Sequence, residues 1–229
     1  MSNNRCLIFG ARGSVGNHTM SNFTSMGINV IGTTSNSEKT NDHIIFVNNT
    51  TLDSLSTIEP VDIIIWAHGC NLNDDINSYE EDSFNKMIDG NVTFILNSLN
   101  YLLKHNKLNN NAKLVIVSSI WEEFTRDNKL SYTVSKSALG GLVKSLSYDL
   151  ADKNILINNV LPGVIENEMS IKTLKPEYFN YIKTYTPFNR LISLDDVFNT
   201  IKFLAIDNTG MTGQSLKVDL GFTNIRKYC

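Results

Sequence analysis

Cysteine is scarce in this chain and badly spaced for cross-linking. The three thiols, Cys6, Cys70 and Cys229, are odd in number and far apart, which argues against a disulfide framework or a metal cluster. They read as reduced thiols in a cytoplasmic protein. Long apolar runs are missing as well. None reaches the ~18 residues of a membrane span, and the opening Met-Ser-Asn-Asn-Arg-Cys lacks the plan of a signal peptide. Nor does one sign of charge prevail. Lys and Arg number 20 against 23 Asp and Glu, a net charge of −3, and the basic residues form no block. Neither nucleic acid nor a membrane surface is therefore an expected partner. A narrower gap is local: no Asp or Glu occurs between Gly32 and Ser37.

What is present suits one domain over 1–229, with 41% hydrophobic and 19% charged residues. The most informative stretch runs from Ser118 to Lys144. Before it, Lys113 to Val117 is an apolar, β-branched run that reads as a buried strand ending at Ser118 and Ser119. From Ser131 the pattern is helical, and Tyr132 and Lys136, four apart, share a helix face. An ammonium close to a phenol favours the phenolate and lowers a pKa otherwise near ~10. Such a pair can exchange a proton with a substrate oxygen, and Ser119 can donate a second hydrogen bond to it.

Earlier in the chain, Arg5 to Phe9 reads as a strand leading into Gly10-Ala11-Arg12-Gly13-Ser14-Val15-Gly16, after which Asn17 to Met26 is helical. Strand, glycine-rich turn, helix is the context of a dinucleotide site: glycines let the backbone approach the pyrophosphate, and the helix N-terminus presents free N–H groups to it. Ile28 to Gly32 is the second strand, followed by Thr33, Thr34 and Ser35. With no carboxylate there to hold a ribose 2′-hydroxyl and repel a 2′-phosphate, NADP(H) is preferred, NAD(H) remaining possible. Arg12 either supplies the charge for that phosphate or is a solvated loop residue. His43–Val47 and Val61–Ala67 are two further strands, Tyr79–His105 is a long amphipathic segment, and Ile155–Val160 is the strand after the active-site helix. No metal site is expected.

The spacing of Ser119 to Tyr132, the Ser135-Lys136 dipeptide and the small-residue run Ala138-Leu139-Gly140-Gly141 resemble the active-site segment of the short-chain dehydrogenase/reductase family. The resemblance extends in family order from Cys6 to Gly221, whose Met211-Thr212-Gly213-Gln214 segment is similar to the family's last strand. It implies a three-layer, doubly wound Rossmann fold with a seven-stranded, mostly parallel sheet in the order 3-2-1-4-5-6-7. It also implies an oxidoreductase that interconverts a small-molecule carbonyl and a secondary alcohol by hydride transfer, 3-oxoacyl-acyl-carrier-protein reductases being the similar subgroup. Tyr132 would transfer the proton, Ser119 hold the substrate oxygen, Lys136 bind the nicotinamide ribose, and Asn91 anchor a relay water.

The same resemblance carries cofactor contacts onto Asn48, Ala67, His68, Gly69, Pro162, Gly163, Ile165 and Asn167, and a substrate lid onto about 163–190. Departures are visible. The glycine turn is Gly-x-x-Gly-x-x-Gly, with Ser14 where short members usually have glycine. Trp66-Ala67-His68-Gly69 stands where the family usually has Asn-Asn-Ala-Gly, so only the glycine is kept. His68 is read as structural or cofactor-lining. By resemblance the chain forms a homodimer or homotetramer through the long helices, with Leu96, Leu99, Leu103, Leu142 and Leu146 offering apolar surface, some of them to their own sheet. Two alternatives are a sugar-nucleotide epimerase or dehydratase, disfavoured by the short stretch after Lys136, and a non-enzymatic NADP(H)-binding regulator.

Overall fold

The computed structural model describes residues 4–47, 52–165 and 176–224. Apolar runs with apolar residues at both odd and even positions bury both faces of a strand, and that pattern calls for a sheet with helices on either side. Strands β1 (Arg5–Phe9), β2 (Asn29–Thr34), β3 (Ile44–Phe46), β4 (Val61–Trp66), β5 (Leu108–Val117), β6 (Leu156–Pro162) and β7 (Ser215–Val218) form that sheet. Its order is β3-β2-β1-β4-β5-β6-β7, and every neighbouring pair is parallel. The expected topology is therefore present.

Alternate residues of the strands feed two cores. Leu7, Phe9, Ile64 and Trp66 pack with Phe94, Leu99, Leu139 and Val143, which come from α3 (Phe94–Lys104) and α4 (Leu130–Asp149). Cys6, Ile8, Ile63 and Ile65 pack with Phe23, Val197 and Ile201 on the other face, from α1 (Ser14–Ser25) and α6 (Leu194–Lys202). Trp66 is fully buried, and its indole N–H donates to Ser98 Oγ at 2.9 Å. The ring thus adds apolar burial without an orphaned donor.

Several expected boundaries move. Tyr79–His105 is not one helix: α2 (Glu81–Ile88) and α3 are joined by a π turn, Asp89–Thr93. The wider turn accommodates the close approach of Cys70, whose Sγ would lie 2.3 Å from a Cβ at Gly90. Strand β5 begins at Leu108, five residues before the apolar run, because the register slips between Val61 and Ile63 and takes up the Asn-rich stretch. Leu99 is 2% exposed and faces its own sheet, so it offers no intersubunit surface. Leu142 and Leu146 pack against the same core. The expectations for Asn48 and Asn167 lie outside the described residues.

Candidate active site

The first βα turn is dictated by contacts that exclude a Cβ. Gly10 has φ +79°, and a Cβ on it would lie 2.7 Å from the backbone of His68; one on Gly16 would lie 2.3 Å from the Gly10 carbonyl oxygen. Gly13 N–H donates to Gly10 O at 2.9 Å and closes the turn. Helix α1 then starts without a side-chain cap and without an acidic residue in its first turn. Free N–H groups and a positive dipole end are left facing the cavity that Gly13, Ser14 and Val15 line, a fit for a pyrophosphate. Ala67, His68 and Gly69 just after β4, and Pro162 at the end of β6 with Gly163 and Ile165 beyond it, line the same cavity.

Thr33 and Ser35 lie at the end of β2, apart from that cavity. Ala11 N–H donates to Thr33 O at 3.1 Å, and Arg12 donates from Nε (3.0 Å) and Nη2 (2.8 Å) to Lys39 O. Arg12 is therefore held across the loop after β2 rather than loose in solvent.

The other end of the cavity holds Ser119, Tyr132 and Lys136. Lys136 is 4% exposed; its Nζ lies 5.8 Å from the Tyr132 ring centroid and donates to Val117 O at 3.4 Å. The Ser119 hydroxyl is within hydrogen-bonding reach of the Tyr132 hydroxyl. It also accepts from Trp121 N–H at 3.3 Å, which fixes its rotamer. Asn91, 1% exposed in the π turn, stands behind the lysine. Its Oδ1 accepts from Cys70 N–H at 2.8 Å, and its Nδ2 donates to Cys70 O at 3.1 Å and to Ser135 Oγ at 2.9 Å. A single side chain thus ties the end of β4 to the helix that carries Tyr132.

Burial governs the protonation of the pair. It pushes the Tyr132 phenol up to about 12, against the smaller opposing effect of the Ser119 hydrogen bond, and it pulls the Lys136 ammonium down to about 8, against the carboxylate of Glu122 and the Cys70 thiol. The net direction for Tyr132 is opposite to the one expected of the lysine's charge by itself. Desolvation of the buried phenolate is the largest effect on the Tyr132 hydroxyl. Burial thus favours the protonated phenol. His68 is pulled down to about 3 by burial and by Lys136, and its ring packs edge-on against Phe94 at 4.8 Å. A neutral, packed imidazole is no proton donor at pH 7, in keeping with the structural or cofactor-lining reading.

Other residues around the site escaped sequence reasoning. Helix α4 lacks a cap from its own Lys129; Asp74 caps it from the loop after β4. Asp74 Oδ1 accepts from Ser131 N–H at 3.0 Å, Oδ2 accepts from the Ser131 hydroxyl, and Asp74 O accepts from Leu130 N–H at 3.1 Å. Lys129 Nζ donates to Asn71 Oδ1 and Asn73 Oδ1, both at 2.6 Å, from the same loop. Glu122, below the site, accepts from Asn159 Nδ2 at 2.9 Å and Ser215 Oγ at 2.5 Å. Its carboxyl occupies the space that Gly140 leaves open. These contacts join segments far apart in the chain, so no local pattern announces them.

A family model described as enoyl-(acyl carrier protein) reductase matches residues 46–223. The chain is 26% identical over 166 residues to 7alpha-hydroxysteroid dehydrogenase of Clostridium sardiniense, a match spanning 71% of this chain and 63%, less than two thirds, of that protein. It is 29% identical over 237 residues to 3-oxoacyl-(acyl-carrier-protein) reductase FabG of Rickettsia bellii, spanning 96% of this chain and 97% of that one. The solved structure of ElxO with NADP bound superposes with a TM-score of 0.84 at 25% identity, covering 97% of this chain and all of the other (100%).

Proposed function

The chain belongs to the short-chain dehydrogenase/reductase family of oxidoreductases, and from that premise we propose that it interconverts a carbonyl and a secondary alcohol with NADP(H). The observation that carries this is one cavity shared by Ser119, Tyr132 and Lys136 and by the uncapped start of α1. The dinucleotide, when bound, supplies or accepts the hydride. Tyr132 donates its proton to the oxygen on which charge develops, and Ser119 gives that oxygen a second hydrogen bond. Lys136 holds the nicotinamide ribose, and Asn91 keeps the loop after β4 and helix α4 in register beside it. Ser14 and Val15, at the uncapped start of α1, take the pyrophosphate through backbone N–H groups, with Gly13 lining the cavity beside them.

The 2′-phosphate preference rests on Arg12, held on the loop after β2 at Lys39, and on the lack of any carboxylate from Gly32 to Ser37. NADP in the ElxO structure is in keeping with it. The substrate cover expected over about 163–190 lies in part outside the described residues; of those described, Tyr178 on α5 (Pro176–Tyr185) lines the cavity. The test is NADPH oxidation over a panel of acyl thioesters, sugars and small ketones. Turnover of at least one class is expected; tight NADPH binding with no turnover across the panel would point to the regulator instead.

A further inference from the structure

We infer that the substrate carries an anionic group, a carboxylate or a phosphate monoester, which docks on Arg126 at the outer end of the catalytic cavity. The inference rests on the carbonyl-reductase reading above and narrows its substrate class.

Arg126 lies in the loop between Ser119 and α4. Its guanidinium carbon is 6.0 Å from the Trp121 ring centroid and 5.0 Å from that of Tyr178. Arg126, Trp121 and Tyr178 line both the catalytic cavity and an adjoining aromatic groove, whereas Gly13 to Val15 line only the cavity. The arginine thus marks the end away from the pyrophosphate turn. Its donors are largely unspent. Nη1 donates to Asp127 O at 3.1 Å and lies 3.7 Å from Asp127 Oδ1. That carboxylate is 81% exposed and screened by solvent, so it neutralises little. Nε is buried and has no hydrogen-bond partner among the described residues. A guanidinium whose Nε is unspent among the described residues, with its carbon beside two aromatic rings, is suited to recognition of an oxyanion.

The neighbouring charge points the same way. Lys129 Nζ lies 5.3 Å from the Tyr132 ring centroid, and its partners Asn71 Oδ1, Asn73 Oδ1 and Leu72 O are neutral. Its charge is hydrogen-bonded but not cancelled by them. Burial and the positive charge of Arg126 push this ammonium down to about 8, with Asp74 opposing. Two cations that repel across a cavity wall are a cost that an anion near both removes. Among the described residues that line the catalytic cavity, Arg126, Lys129 and Lys136 are the charged ones, and none is a carboxylate. The groove beyond is lined by Phe124, Tyr181 and Phe222 and also by the exposed Asp127; its aromatic rings suit an apolar portion of the same substrate.

Matched pairs test this: a 2-oxo acid against its methyl ester, and dihydroxyacetone phosphate against dihydroxyacetone. In the wild type kcat/KM should favour the charged member of one pair, and Arg126→Ala should cut that ratio by about tenfold to hundredfold, mainly through KM, with Arg126→Lys recovering part. Which pair responds separates carboxylate from phosphate. Equal use of both members, or a ratio unchanged by Arg126→Ala, overturns the inference. A second arm titrates phenylpyruvate, and separately inorganic phosphate, into the NADP-bound Tyr132→Phe variant and follows Trp121 fluorescence. Saturable quenching by either, lost in Arg126→Ala, supports the anion site even if no carbonyl compound is turned over; no quenching by either counts against it. Failure of the whole panel with intact quenching would sink the reductase reading alone.

Discussion

At the scale of single residues, the ionisation of Tyr132 and Lys136 is the most testable feature. With the phenol near 12 and the ammonium near 8, Tyr132 stays protonated through the working range while Lys136 loses its charge as pH rises past about 8. Carbonyl reduction should therefore show kcat/KM level from pH 6 to about 8 and falling above it. A fall with its midpoint below pH 7, or none up to pH 10, would contradict this. Arg12 carries a second prediction: Arg12→Ala should lower the NADPH over NADH preference roughly tenfold to hundredfold in dissociation constants. An unchanged ratio would remove Arg12 as the phosphate partner. The Tyr-x-x-x-Lys pair was legible because four residues are one helical turn. Arg126, Lys129 and Asp74 were not, since their meaning comes from partners on other loops and elements. Helix spacing carries no information on burial, which sets the net direction of the tyrosine shift.

At the scale of elements, α4 is the piece that must not move, and a loop from elsewhere in the chain holds its start. Asp74→Ala removes the acceptor for Ser131 N–H and should cost about 1–2 kcal/mol in urea unfolding, in the range of lost helix caps. It should also lower kcat, since Tyr132 follows Ser131 directly; an Asp74→Ala variant with wild-type stability and kcat would show that the loop is dispensable. The capping box of α6, in contrast, is closed by residues three apart: Ser193 Oγ accepts from Asp196 N–H at 3.1 Å, and Asp196 Oδ2 accepts from Ser193 N–H at 2.8 Å. It is local in sequence, as the Asp74 cap is not. The break between α2 and α3 was hidden for a related reason. Hydrophobic periodicity runs on through a π turn that inserts one extra residue, and only the packing of Cys70 on Gly90 reveals it.

At the scale of the whole molecule, apolar runs and helical stretches alternate clearly enough to yield a parallel α/β sheet, but the strand order came from family resemblance rather than from any strand's own residues. The assembly is a further expectation. One side of α4 exposes Val134, Ala138, Gly141, Ser145 and Tyr148 at helical spacing, with no charge among them and Tyr148 85% exposed, and we propose that this stripe meets a second copy. Light scattering should give twice or four times the 25.7 kDa of one chain, and Tyr148→Glu should shift it towards monomer; a wild-type monomer at micromolar concentration would refute it. The central claim, that Tyr132 is the proton donor of a hydride-transfer site, is tested most directly by Tyr132→Phe assayed for turnover and NADPH affinity on the same preparation. Turnover should fall by about a hundredfold to ten-thousandfold, the range of lost acid–base catalysis, with the NADPH dissociation constant nearly unchanged; full activity in that variant would contradict the account.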